Sequence, residues 1–146
     1  MKVLVTGGAG FIGANLVDHI IEETSWDIKI LDNLSSCGIE NLKSITNYNE
    51  GRIDFFKADL REREKVQEAV KDCNYVVNLA AQVGVIGSQK DPYKDMNINI
   101  KGLLNVLEAS KGHNIEKVVH ASSAAPLGDQ EPPLSEKDIP KPLAPY

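Results

Sequence analysis

The tightest constraint in this sequence is a run of glycines pinned between a short apolar segment and an amphipathic one. Lys2-Val3-Leu4-Val5-Thr6 is β-branched and apolar, and it stops at once at Gly7-Gly8-Ala9-Gly10-Phe11-Ile12-Gly13. Beyond the turn, Ile12, Leu16, Val17, Ile20 and Ile21 recur at helical spacing. The order is therefore strand, turn, helix, with the helix stripe packing back on a sheet. The glycines read G-x-G-x-x-G at Gly8, Gly10 and Gly13, and G-x-x-G-x-x-G at Gly7, Gly10 and Gly13. In such a turn the first glycines allow the reversal, Gly10 leaves bare backbone for a pyrophosphate, and Gly13 lets helix and strand pack closely. The helix start adds free N–H groups and partial positive charge. A glycine-rich turn that binds nothing has the same local look; the context decides.

That context is Asp32, which closes a second apolar run, Ile28 to Leu31, 19 residues after Gly13. A carboxylate there can accept hydrogen bonds from both ribose hydroxyls of an adenosine and would repel a 2′-phosphate. The pair predicts a dinucleotide site that prefers NAD to NADP. Lys29, the nearest cation, should point elsewhere along its strand.

The remaining pattern predicts strands at Ile53 to Lys57, Tyr75 to Leu79 and Glu116 to Ala121. A charged helix from Arg61 to Lys71 should turn Val66, Ala69 and Val70 inward. Asp91-Pro92 should open a long helix, by capping and by proline at its first position, that runs to Gly112 with Met96, Ile100, Leu103, Leu104 and Leu107 along one face. Strands apolar nearly throughout, alternating with helices, predict an α/β fold: a doubly wound, Rossmann-type parallel sheet covered on both faces. From Pro126 onward prolines accumulate and regular signals fade, which predicts an irregular surface loop. The sheet would stop after about five strands, so residues 1–146 are expected to be a single NAD-binding domain and the N-terminal fragment of a longer fold.

Composition excludes several classes. A net charge of −5 gives no basic face for nucleic acid. The longest apolar stretch, Val76 to Gly87, is interrupted and too short to span a bilayer, and no targeting segment is visible. Cys37 and Cys73 have no histidine nearby and read as reduced thiols in a soluble, cytoplasmic protein. No metal is expected.

Several segments together resemble the extended short-chain dehydrogenase/reductase family, the NAD-dependent nucleotide-sugar epimerases and dehydratases. Thr6 to Gly13 is similar to its cofactor turn, with Gly7, Gly10, Phe11, Ile12 and Gly13 implied to hold NAD. Asp32-Asn33-Leu34-Ser35-Ser36 resembles its ribose loop. Ala58-Asp59-Leu60-Arg61 resembles the segment beside adenine, although Asp59 with Glu62 equally reads as a capping box. Asn78-Leu79-Ala80-Ala81-Gln82 resembles the strand end beside the cofactor; Ala80 and Ala81 could also be small core residues. Asn99 and Gly102 match an Asn-x-x-Gly whose asparagine holds backbone near the active site.

Ala121 to Ala125 resembles the active-site strand end, which implies that Ser123 is catalytic. Pro145-Tyr146 resembles the start of Tyr-x-x-x-Lys. A tyrosine with a reference pKa of ~10 needs that lysine and the nicotinamide charge to act as a base. The lysine would lie beyond Tyr146, so this stretch alone should be inactive. In the resembled enzymes the phenolate takes a proton from a sugar hydroxyl as hydride passes to NAD. Dehydratases carry an acid pair just after the catalytic hydroxyl, where this chain has Ala124 and Ala125, so a 4-epimerase acting on a UDP-hexose is favoured. Another activity of the family, or a non-catalytic NAD-binding module, stays open. Pro126-Leu127-Gly128 replaces a common Val-Tyr-Gly and Asn78 a frequent histidine. The resemblance leaves a homodimer open. His120 is expected to be a half-buried structural residue, with His19 on a helix surface and His113 at a helix end.

Overall fold

The computed structural model describes residues 1–43, 45 and 51–146. Five strands form one parallel sheet: β1 (Lys2–Thr6), β2 (Asp27–Asp32), β3 (Ile53–Lys57), β4 (Tyr75–Asn78) and β5 (Lys117–His120). Their spatial order is β3-β2-β1-β4-β5. The order reverses between β1 and β4, so the carboxyl ends of those two strands flank a crevice, the place where open α/β sheets bind ligands.

Alternation along each central strand sends side chains to two separate cores. Val3, Val5, Ile28 and Ile30 pack with Val17 and Ile21 of α1 (Phe11–Glu23) and Leu42 of the short α2 (Glu40–Lys43). Leu4, Leu31 and Val76 point the other way, onto Val66, Ala69 and Val70 of α3 (Arg63–Val70) and Val106 and Ala109. The doubly wound architecture expected from the sequence is thus present, with both faces of the central strands covered. The edge strand β5 differs: Val118 packs on the second core while Val119 is 52% exposed. Ile12 also departs from the predicted stripe. It lies in the first turn of α1, and 66% of it is exposed.

A helix that the sequence pattern did not announce, α4 (Val85–Lys90), precedes the long one. The long helix starts where expected, with the Asp91 side chain accepting from the Lys94 amide at 2.9 Å and Pro92 following. It runs as α5 (Pro92–Met96), a π-helical turn at Asn97–Lys101 and α6 (Gly102–Gly112). Its apolar stripe faces outward: Met96, Ile100, Leu104 and Leu107 are exposed. Apart from Val106, the inward face is built of small and polar residues instead, Gly102, Asn105, Ala109 and Ser110, because α6 approaches closely. A Cβ on Gly102 would sit 3.0 Å from the Leu60 side chain, and Asn105 donates to the Leu60 carbonyl at 2.7 Å. After β5 the backbone is largely irregular, apart from a 3₁₀ turn at Ala125–Leu127.

Candidate cofactor cleft

At the reversal point the chain leaves β1 at Gly7, whose φ of +69° is left-handed and whose added Cβ would lie 2.8 Å from the Ala80 amide. Only a glycine lets this turn lie against the end of β4. Gly13 is as crowded: a Cβ there would fall on the Gly7 carbonyl oxygen and 2.6 Å from the Gly8 Cα. Gly10 is different, because beyond the Gly7 carbonyl oxygen at 3.2 Å nothing crowds the place of its Cβ. Gly10 is also the N-cap of α1, with no side chain capping it and no acid in the first turn. The first-turn amides have no partner within the helix, so the positive end of α1 opens, unneutralised by any side chain of its own, toward the space beside Gly10.

That space is a cleft of about 360 Å³, within the roughly 300–1,000 Å³ usual for small-molecule sites. Gly7, Gly10, Phe11, Ile12 and Gly13 line it from the turn, and Asp32 and Asn33 from the end of β2. Asp59 and Leu60 enter from the end of β3, and Leu79, Ala80 and Ala81 from the end of β4. The donor set suits a dinucleotide: bare amides for a diphosphate, a carboxylate for a ribose, apolar walls for the rings. Sequence reasoning did not select Leu31, Ser35, Ser36, Cys37, Ala58, Gln82, Val83 or Ile98, which also line it. Several of these stand inside the motifs quoted above; Cys37, Val83 and Ile98 carried no signal.

Two carboxylates in the cleft are held in contrasting ways. Asp32 accepts from the Ala9 amide at 3.0 Å through Oδ2 and from the Leu34 amide at 2.8 Å through Oδ1. With about two acceptor positions per oxygen, one remains on each. Asp59 is saturated. Its Oδ1 accepts from the Arg61 amide (2.9 Å) and Arg61 Nε (2.8 Å), its Oδ2 from Arg61 Nη2 (2.7 Å) and Asn33 Nδ2 (2.9 Å). The Arg61 side-chain hydrogen bonds hold the Asp59 carboxyl far below the usual carboxylate range, and Asp59 in turn raises Arg61. Half of the expected capping box is present as well, since Glu62 accepts from the Asp59 amide at 2.9 Å.

Asn99 does not line the cleft. From the π-helical turn its Oδ1 accepts from the Gln82 amide (2.8 Å) and its Nδ2 donates to the Gln82 carbonyl (3.1 Å) and to Asp95 (3.2 Å). Rather than meeting the cofactor directly, it clamps the backbone of Gln82 just past β4, and Gln82 does line the cleft. Ser123 and Tyr146 also lie outside the lining. Ser123 is exposed, its Oγ accepting from the Ala125 amide at 3.0 Å, and Tyr146 is half-buried.

The strand tips are tied by a polar chain. The Ala80 amide donates to Thr6 Oγ1 (3.3 Å), Thr6 Oγ1 donates to Asn78 Oδ1 (2.6 Å), and Asn78 Nδ2 meets His120 Nδ1 at 3.0 Å. In this pair the Asn78 amide nitrogen donates and His120 Nδ1 accepts. His120 is exposed rather than half-buried, because it lies on the edge strand. Lys29 is buried with its Nζ on the Lys71 carbonyl at 3.2 Å, pointing away from Asp32 as expected.

A family model described as the NAD dependent epimerase/dehydratase family matches residues 3–146. The chain belongs to this family. A UDP-glucose 4-epimerase of Mycolicibacterium smegmatis is 36% identical over 149 residues, covering 100% of this chain and 47% of that protein. The UDP-N-acetylglucosamine 4-epimerase of Methanobrevibacter ruminantium, solved with UDP-N-acetylmuramic acid, superposes with a TM-score of 0.88 at 38% identity, over 99% of this chain and 45% of that one. The Thermus thermophilus UDP-glucose 4-epimerase, solved with NAD, gives a TM-score of 0.86 at 36% identity, over 100% and 46%. The chain therefore spans about half the length of these NAD dependent epimerase/dehydratase relatives.

No helix among the described residues is long and apolar enough to cross a membrane. Both cysteines are free thiols. Cys73 is buried, and burial pushes its thiol pKa up, whereas Cys37 is partly exposed in the cleft wall. Iodoacetamide should therefore alkylate Cys37 and spare Cys73. Saturating NAD should slow the Cys37 reaction about tenfold, as read by peptide mass spectrometry; equal rates with and without NAD would place the dinucleotide elsewhere.

Proposed function

We propose that this chain is the NAD-holding half of a nucleotide-sugar epimerase, most simply a UDP-hexose 4-epimerase. The observation that carries the reading is one cleft lined both by the uncapped start of α1 and by Asp32, whose two oxygens each keep an acceptor position. The amides around Gly10, Phe11, Ile12 and Gly13 would hold the pyrophosphate, and Asp32 the adenosine ribose with Asn33 beside it. Leu60 would border the adenine, with Asp59 at its edge, and Leu79, Ala80 and Ala81 the nicotinamide half. Asn99 would act indirectly, by fixing the Gln82 backbone. When bound, NAD supplies a reversible hydride acceptor.

Ser123 and Tyr146 are the groups in register to hold a sugar hydroxyl and take its proton. Neither lines the cleft, so their assembly with the cofactor belongs to the longer protein. Ala124 and Ala125 offer no carboxyl for elimination of water, which favours epimerisation over dehydration. The nucleotide-sugar partner, a homodimer and a cytoplasmic location are parts of the same proposal, the first supported by the names of the relatives. Calorimetry tests the cofactor site. NAD should bind more tightly than NADP, and Asp32→Ala should weaken NAD about 150-fold, the loss of two hydrogen bonds to a charged acceptor at ~1.5 kcal/mol each. Unchanged NAD affinity in Asp32→Ala, or a preference for NADP, would remove the assignment.

A further inference from the structure

The loop that follows β2 is held in a tense shape. Leu34 sits at φ +59°, a region a branched side chain rarely enters. Two successive side-chain-to-backbone turns keep it there: Asp32 Oδ1 accepts from the Leu34 amide, and Asn33 Oδ1 from the Ser35 amide at 2.9 Å. The loop is also tethered sideways, from Asn33 Nδ2 to Asp59 Oδ2 across 26 residues of sequence. Arg61 in turn grips Asp59 by a two-pronged fork and by its own backbone amide. Arg61 does not line the cleft, while Asn33 and Asp59 do.

We infer that Arg61 is a positioning residue for the cofactor: through Asp59 it locks Asn33 and the ribose loop in the shape that receives the adenosine end of NAD. The inference rests on the proposed NAD site and deepens it. Forked pairs of this kind fix geometry as well as charge, and a lysine at the same place would offer a single point contact. With both oxygens of Asp59 engaged by Arg61 and Asn33, its carboxylate is held in one orientation at the cleft wall and serves as the hub of the latch.

The test compares wild type with Arg61→Met, which keeps the stem, and Arg61→Lys, which keeps the charge without the fork. NAD binding should weaken about tenfold in Arg61→Met, with Arg61→Lys between it and wild type. AMP, read by NMR titration, should weaken by the same factor, while nicotinamide mononucleotide should not change, since the latch touches only the adenosine end. NAD affinity within twofold of wild type in Arg61→Met, or equal losses for AMP and nicotinamide mononucleotide, would overturn the latch while leaving the site intact. Failure of the wild-type chain to bind NAD at all would overturn the site reading together with it.

Discussion

Replacing Gly13 with alanine is expected to lower the unfolding midpoint by roughly 10 °C and to abolish NAD binding. The new methyl would strike the Gly7 carbonyl oxygen and the Gly8 Cα, backbone atoms that cannot turn aside as a side chain would. Gly7 is itself fixed, its amide donating to the Leu31 carbonyl at 2.8 Å and its Cα side pressed on Ala80. Relief therefore requires the first turn of α1 to move outward from β1. Forced overpacking of this kind costs about 3 kcal/mol, and each kcal/mol is worth a few degrees in a domain of this size. The shift would also carry away the first-turn amides that face the cleft. Calorimetry and a thermal melt read both effects. A Gly13→Ala chain that melts within about 2 °C of wild type and still binds NAD would show that the turn has slack the packing does not suggest.

Arg52→Met should destabilise the chain by about 3 kcal/mol without touching the cleft. Arg52 Nε and Nη2 donate to the Trp26 carbonyl (3.2 and 2.8 Å), Nη1 to the Ile21 carbonyl (3.0 Å) and Nη2 to the Thr24 carbonyl (2.6 Å). A single guanidinium thus satisfies the carbonyl groups at the end of α1, where the helix dipole also favours a cation, and ties that end to β3. Trp26 is held from its other side by stacking on Tyr75, with ring centroids 5.2 Å apart. Methionine keeps the bulk of the stem but leaves those part-buried carbonyls unpaired, and charge-assisted bonds of this type are worth about 1.5–3 kcal/mol each before partial rehydration. Urea unfolding should show a lowered midpoint with an unchanged slope. Retention of the wild-type midpoint would mean that water replaces the guanidinium at little cost.

Much of the cofactor cleft was legible because its signals are local. The turn needs glycine at fixed offsets along a few residues, and Asp32 follows from where the second strand ends. The strand register then brings Gly7, Asp32, Asp59 and Ala80 to the same edge of the sheet. The long helix shows where local signals stop. Its period was right, but the period alone does not say which stripe faces in. The close approach at Gly102 and the Asn105 bond to Leu60 chose the small-residue face, and left Ile100 and Leu104 outside.

The sequence by itself determined the strand–turn–helix opening, the alternation that makes a doubly wound sheet, and the acid at the end of β2, since each depends on residues a few positions apart. Only the tertiary structure decided that Arg52 closes α1, that Asn33, Asp59 and Arg61 form one latch, and that Thr6, Asn78 and His120 line up across three strands. Apart from the local Arg61–Asp59 fork, those contacts join residues from 26 to 72 positions apart. Partners at such distances are chosen by how the elements pack, and a polar residue carries no local mark of which distant carbonyl or carboxylate it will meet.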